Sequence, residues 1–177
     1  MKNFFLIIPL FLLISCTPTE NRQAVEQIDS LLVVNQNLQD ELNSPDIDTF
    51  RMIYDTVVKY NAYFCKENLP DLSNKDLDVI YYYGTLDKTF KKFLNNYRGD
   101  LLNRLQYREN QLNTLKHDIS NKLLKPEEFN KYLYVEDSVM QFLTQEVKDR
   151  LEFAYEHKEK FTEYHNQALS LIEKIED

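Results

Sequence analysis

The stretch that decides the fold lies near the end of the chain and reads PEEFNKYLYVEDSVMQFLTQEVKDRLEFAYEHKEKFTEYHNQALSLIEKI, residues 126–175. Pro126 suits the first position of a helix, where its missing N–H is not needed, and no later proline or glycine interrupts the stretch. A row of mostly apolar side chains recurs in alternating steps of three and four, the spacing of one helix face. The row is Met140, Leu143, Val147, Arg150, Ala154, His157, Phe161, Tyr164, Ala168, Leu171 and Ile175. This unbroken spacing predicts a single helix about 75 Å long, at 1.5 Å per residue.

The segment at 74–121 contains no proline and carries a second row of this kind. The row is Val79, Tyr83, Leu86, Phe90, Phe93, Tyr97, Leu101, Leu105, Leu112, Leu115 and Ile119. The steps from Tyr97 to Leu101 and from Leu101 to Leu105 are both of four residues, which disturbs the alternation beside Gly99. We therefore expect one long helix with a stutter or kink near Gly99, or two helices broken there. Joined to the last helix by a short turn at 122–125, this segment predicts an elongated antiparallel hairpin.

Two shorter helices are predicted ahead of the hairpin, at about 23–43 and 45–67, with a loop at 68–73. Ser44 and Pro45 suit the cap and the first residue of the second helix. Ser73 followed by Asp76 is a capping signal for the helix that starts at 74. If the two shorter helices pack along part of the hairpin, the result is an all-α, coiled-coil-like elongated bundle of about four helices. Residues 23–177 then form a single domain.

Asn35 lies in the apolar row of the first predicted helix, among Ala24, Ile28, Leu31, Leu38 and Leu42. Two interpretations stay open. A buried asparagine at such a position fixes the register or the oligomeric state of a coiled coil. Alternatively, the helix is an ordinary amphipathic one with Asn35 near the edge of its apolar face.

The N-terminus has a short positive start followed by an apolar run from Phe4 to Ile14. This run is too short for a spanning helix, which needs about 20 residues, but it suits a secretory signal peptide. The run ends in Leu13-Ile14-Ser15-Cys16, which resembles the lipobox of bacterial lipoproteins. The resemblance implies a signal peptide at 1–15, lipid on the Cys16 sulfur, and a lipidated tether at 16–22. The resemblance also implies that the chain is attached to a membrane by the lipid on Cys16.

The chain as a whole resembles the small, all-helical lipoproteins of Bacteroidota-type cell envelopes. This resemblance implies a lipid-anchored location in the envelope. Thr17, rather than Asp, follows Cys16, and no acidic run comes after it. On these grounds we expect the outer membrane, and its periplasmic face rather than the cell surface.

Composition excludes several functional classes. The chain has 29 acidic and 21 basic residues, a net charge of −8, and no basic stripe, so nucleic acid is not an expected partner. Only two glycines occur, Gly84 and Gly99, and a glycine-rich phosphate loop cannot be written with them. With so few glycines for tight turns, a multi-stranded β fold is also not expected.

Motifs for catalysis or metal binding are absent from the sequence. The histidines are His117, His157 and His165, and none belongs to a Glu-x-x-His or His-x-x-x-His motif. There is no Cys-x-x-Cys motif and no Gly-x-Ser-x-Gly elbow. We therefore predict no enzyme, no catalytic residue, no metal and no cofactor. The alternative is a ligand- or metal-binding envelope protein with a pocket between helices near His157 and His165. An enzyme that uses pairs of Asp or Glu residues has no specific support in the sequence.

Tyr81, Tyr82 and Tyr83 are the candidate contacts for a partner, because tyrosine is enriched at the centres of protein interfaces. The competing interpretation is a core rich in Tyr and Phe whose hydroxyls reach the surface. Cys65 is the only thiol left once Cys16 carries lipid, and it is either a buried apolar residue or a reactive group. The leading functional prediction is a membrane-anchored, non-catalytic scaffold or interaction module that binds a protein partner or itself.

Overall fold

A computed structural model describes residues 19–44, 46–65 and 71–176. The predicted lipidation site at Cys16, Pro45 and part of the predicted loop at 68–73 lie outside these ranges. The described chain is helical and contains no strand. Its elements are α1 (Thr19–Leu42), α2 (Asp46–Phe64), α3 (Asn74–Lys92), a π-helical turn (Phe93–Tyr97), α4 (Arg98–Ser120) and α5 (Pro126–Glu176). The prediction of an all-α fold is confirmed.

The bundle is built on α5, which has 51 residues and runs antiparallel to the continuous rod of α3, the π-turn and α4. α1 packs on α4 and α5, whereas α2 packs on α3 and α5. The two shorter helices therefore follow each other along the rod, and three helices lie side by side at each described level. Arg98 marks the junction, since its Nε donates to the Leu42 carbonyl at 2.7 Å.

The predicted count of about four packed helices is not confirmed, for a reason of length. α5 extends about 75 Å at 1.5 Å per residue, whereas α1 and α2 have 24 and 19 residues. Each of them covers roughly half of the long helices. Placed end to end, they cover the apolar face of the whole hairpin, which a side-by-side arrangement would leave half exposed.

The π-turn explains the disturbed spacing beside Gly99. Phe93 and Leu101 are both buried although eight residues separate them. Eight α-helical residues would turn the chain about 80° past two full turns, so Leu101 would leave the core face. A π-turn contains one extra residue and restores the phase. No close approach requires a glycine at position 99, because a Cβ built there meets nothing within 4 Å.

The predicted apolar row of α5 is wrong at Arg150, whereas Ala154, Ala168 and Leu171 are buried as it predicts. Leu151 is buried in place of Arg150, and the ring of His165 contacts the buried Tyr83. The row therefore contains two consecutive steps of four, from Leu143 to Val147 and from Val147 to Leu151. A straight α-helix has 3.6 residues per turn, so a strict alternation of three and four drifts off the core face over such a length.

Two asparagines tie α1 to α4. Asn35 is buried, and its amide donates to the Leu105 carbonyl at 3.0 Å. Asn21 is also buried and donates to the Ile119 carbonyl at 3.2 Å. Asn35 therefore fixes the register of α1 within one chain. Asn21 explains why α1 begins at Thr19, ahead of the predicted start near 23, because it extends the packed face by one turn.

Local signals set the ends of the hairpin helices. Ser73 and Asp76 form a reciprocal capping box at the start of α3, as their spacing predicts. Lys122 adopts a left-handed conformation with φ of 58°, which ends α4 and reverses the chain toward Pro126. α5 then begins with Glu127 and Glu128 in its first turn, where negative charge is favourable.

Candidate functional site

The three consecutive tyrosines point in different directions. Tyr81 is 71% exposed, and Tyr82 is partly exposed and stacks on Tyr164, with ring centroids 4.9 Å apart. Tyr83 is 0% exposed. The surface at this point therefore consists of Tyr81 and Tyr82, and a partner would reach Tyr83 only if the bundle opened. Whether Tyr81 and Tyr82 bind a partner stays a prediction.

Tyr83 instead forms a polar pair with His165 inside an aromatic cluster. Its hydroxyl lies 2.9 Å from His165 Nδ1. Around the imidazole are Phe161, stacked at 5.0 Å between centroids, and Tyr60, edge-on at 5.1 Å. Burial lowers the pKa of His165 and raises the pKa of the Tyr83 phenol. Both groups are thus held neutral near pH 7, with the ring proton on Nε2 when the hydroxyl donates.

The other predicted candidates do not come together. His157 bonds through Nδ1 to the Phe153 carbonyl on its own helix, at 2.8 Å, and does not contact His165. Cys65 is exposed at the end of α2, so its interpretation as a buried apolar residue is wrong. Across the described ranges, no three His, Cys, Asp or Glu side chains are grouped so that they could hold a metal ion.

An exposed aromatic face, which the sequence analysis did not identify, lies on α5 and α4. Val135, Phe142 and Phe153 project from one side of α5, and Tyr107 projects from α4. Phe142 is 63% exposed. The separations of seven and eleven residues along α5 correspond to two and three helical turns, so these side chains align. We call these four residues the aromatic face.

Arginines on α4 border the aromatic face. Arg104 lies 2.9 Å from the Glu146 carboxylate on α5, and its guanidinium is 5.9 Å from the centre of the Phe142 ring. Arg108 pairs with Glu136 at 3.2 Å and lies 4.9 Å from the Tyr107 ring. Both arginines are thus positioned by a carboxylate and a ring. Tyrosine and arginine dominate the binding energy of protein interfaces, so this composition is typical of an interaction surface.

The sequence did contain a signal for this face. The spacing of Val135, Phe142 and Phe153 predicts a second, weaker apolar side on α5, which the stronger row of core residues obscures. The groove beside them, between α4 and α5, has a volume of about 270 Å³ and is lined by Tyr107, Val139 and Leu143 among others.

Comparison with known proteins identifies no relative for this bundle. No known family model matches the chain, and neither a curated protein nor a solved structure matches it significantly. None of the helices within the described ranges is long and apolar enough to cross a membrane. The class that the geometry defines is therefore an elongated three-helix bundle with an exposed aromatic face.

Proposed function

We propose that this chain is a non-catalytic interaction module of the cell envelope, anchored through lipid on Cys16, that binds a helix of a partner protein along the aromatic face. The observation that carries the proposal is the face itself. Its members are large apolar side chains that remain exposed although the bundle buries its other long rows. Exposed apolar patches of this kind mark interaction sites when polar groups border them.

The occupant that fits best is a helix, because of the geometry of the groove. At the level of Tyr107 and Phe142 three helices are present, and the groove between α4 and α5 lies open beside Val139. A partner helix placed there would add a fourth helix and bury the ring of Phe142. Arg104 and Arg108 at the border are already paired with Glu146 and Glu136, so they would offer their remaining N–H donors to polar groups at the rim of that partner.

The anchor rests on the lipobox-like end of the apolar N-terminal run, Leu13-Ile14-Ser15-Cys16. With the lipid on Cys16, the helical domain would stand on the periplasmic side of the outer membrane. Its acidic charge would be repelled by anionic lipid, which leaves the acyl chains as the membrane contact. Replacing Cys16 by serine should abolish incorporation of labelled palmitate and release the chain from the membrane fraction. Retention of both would disprove the anchor without bearing on the aromatic face.

The aromatic face is tested by site-specific photo-crosslinking in intact cells, with the native N-terminus kept. A photoreactive residue in place of Phe142 should capture one envelope protein reproducibly, and Phe142→Glu should abolish recovery of that protein by pull-down. The matched control is Val33 on α1, which is 60% exposed and lies outside the face.

Three outcomes are informative. Capture from position 142 but not from 33 supports the proposal. Equal capture from both positions, or unchanged recovery with Phe142→Glu, would overturn it. A crosslinked product made only of this chain would show that the occupant of the face is a second copy and not another protein. Light scattering of the purified protein would then show a dimer, and Phe142→Glu would dissociate it.

A further inference from the structure

A pocket of about 250 Å³ lies beside the π-turn, between α3 and α5. Its walls are largely apolar and include Phe93 and Tyr97, which begin and end the π-turn, and Phe153 of α5. π-helical turns within α-helices occur frequently at functional sites. Here the turn widens the helix at the level where Arg150 packs over the Tyr97 ring, with the guanidinium 4.1 Å from the ring centre.

Three cationic side chains, Lys88, Lys92 and Arg150, line the same pocket, and no carboxylate does. None of the three forms an ion pair with any acid in the described ranges, although the chain as a whole is acidic. Two acids close to Arg150 in sequence bond to other residues. Glu146 pairs with Arg104, and Asp149 accepts a hydrogen bond from Gln145 at 2.6 Å. The lining of the pocket therefore carries positive charge and no carboxylate, while Glu146 and Asp149 line a neighbouring groove together with Arg150.

Thr89 adds a polar group to the apolar wall. The residue is 7% exposed, lines the pocket, and has no side-chain hydrogen bond to another described residue. Its neighbour one turn earlier, Thr85, bonds to the Tyr81 carbonyl at 3.0 Å in the usual way. Among the described residues this hydroxyl is not one of the fully buried polar atoms that lack a partner, so solvent in the pocket reaches it, and a ligand bound there would replace that solvent.

We propose that this pocket binds a small aromatic carboxylate. The anionic group would lie between Arg150 and the two lysines and would accept a hydrogen bond from the Thr89 hydroxyl. The ring would pack against Phe93 and Phe153. The volume is just below the range of roughly 300 to 1,000 Å³ typical of drug-sized ligands, so the ligand is a single-ring compound. Phe153 belongs both to the aromatic face and to this pocket, whereas the other residues of the two sites differ.

The experiment uses full-length protein in a non-ionic detergent, with benzoate as the probe and backbone NMR shifts as the readout. Benzoate should shift the Thr89, Phe93 and Phe153 signals in a saturable way. Benzamide has the same ring without the charge, and acetate has the charge without the ring. Both should bind at least tenfold more weakly than benzoate.

Variants separate this pocket from general charge effects. Arg150→Gln should weaken benzoate binding at least tenfold. Lys148→Gln, which removes the same charge from an exposed position on α5, should leave it within twofold. Circular dichroism melts would establish that both variants are folded. Equal binding of benzamide, or of acetate, would overturn the proposal, as would equal losses in the two variants or no saturable shift at Thr89.

Discussion

The hydroxyl oxygen of Tyr83 and Nδ1 of His165 lie 2.9 Å apart and join α3 to α5 inside the bundle. Their rings are nearly parallel, with centroids 6.0 Å apart, and Phe64 of α2 meets the Tyr83 ring edge-on at 6.1 Å. All three helices of this half of the bundle thus meet at one polar contact. It is surrounded by rings, so water does not readily replace either partner.

Removing the Tyr83 hydroxyl should therefore destabilise the protein. Tyr83→Phe leaves His165 Nδ1 without its partner and should lower the free energy of unfolding by about 1 kcal/mol. Urea unfolding followed by circular dichroism measures the change. Tyr81→Phe, at an exposed position on the same helix, should change it by less than about 0.5 kcal/mol. Equal effects at the two positions would show that the contact contributes nothing.

The same pair should make stability depend on pH. Burial lowers the pKa of His165 in the folded chain, so the unfolded chain binds the proton more readily. Stability should be constant above about pH 6.5, the ordinary value for histidine, and should fall as the pH drops below it. His165→Gln should flatten this dependence between pH 7 and 5. His157→Gln, which alters a histidine outside the cluster, should retain it, and a flat profile in the unaltered protein would contradict the expectation.

A second pH effect is expected at the start of α3. Hydrogen bonds from Lys174 and from the side chain and backbone of Ser73 lower the pKa of Asp76 to about 2. The carboxylate stabilises the fold above its ordinary pKa of 3.8, and this stabilisation is lost as the pH falls toward 2. Asp76→Asn should speed hydrogen exchange in the first turn of α3 at pH 5. Asp78→Asn, at an exposed position two residues on, should not, and equal exchange in the two variants would contradict the role of the capping box.

The π-turn offers a test by deletion. Without Asn95, an exposed residue of the turn, Phe93 and Leu101 would be seven residues apart, about 20° short of two full α-helical turns. The core faces then still match, so the deletion should preserve helicity and cooperative unfolding while removing the π-turn. Deleting Gln106, an exposed residue of regular helix in α4, rotates Leu112, Leu115 and Ile119 about 100° away from the core and should unfold α4. Melting curves that rank the two deletions in the opposite order would refute this account.

Prediction from sequence succeeded where the signals were local. Ser73 and Asp76 are three residues apart and form their capping box, and Pro126 begins α5 where its ring geometry favours it. The aromatic face was missed because exposure is not a local property. The spacing of Phe142 and Phe153 is visible in the sequence, but their exposure depends on where α1 and α2 lie.

By itself, the sequence determined that the described chain is helical and where most of its helices begin and end, because periodicity, caps and turns act over a few residues. Only the tertiary structure decided that α1 and α2 lie end to end, that a π-turn realigns α3 with α4, and that His165 rather than Tyr164 contacts Tyr83. Over 50 residues of a straight helix with 3.6 residues per turn, a fixed alternation of three and four does not stay on one side, so spacing alone does not define the buried face. At each level of the bundle, the neighbouring helices determine which side chains of α5 are buried. Those helices come from distant parts of the sequence.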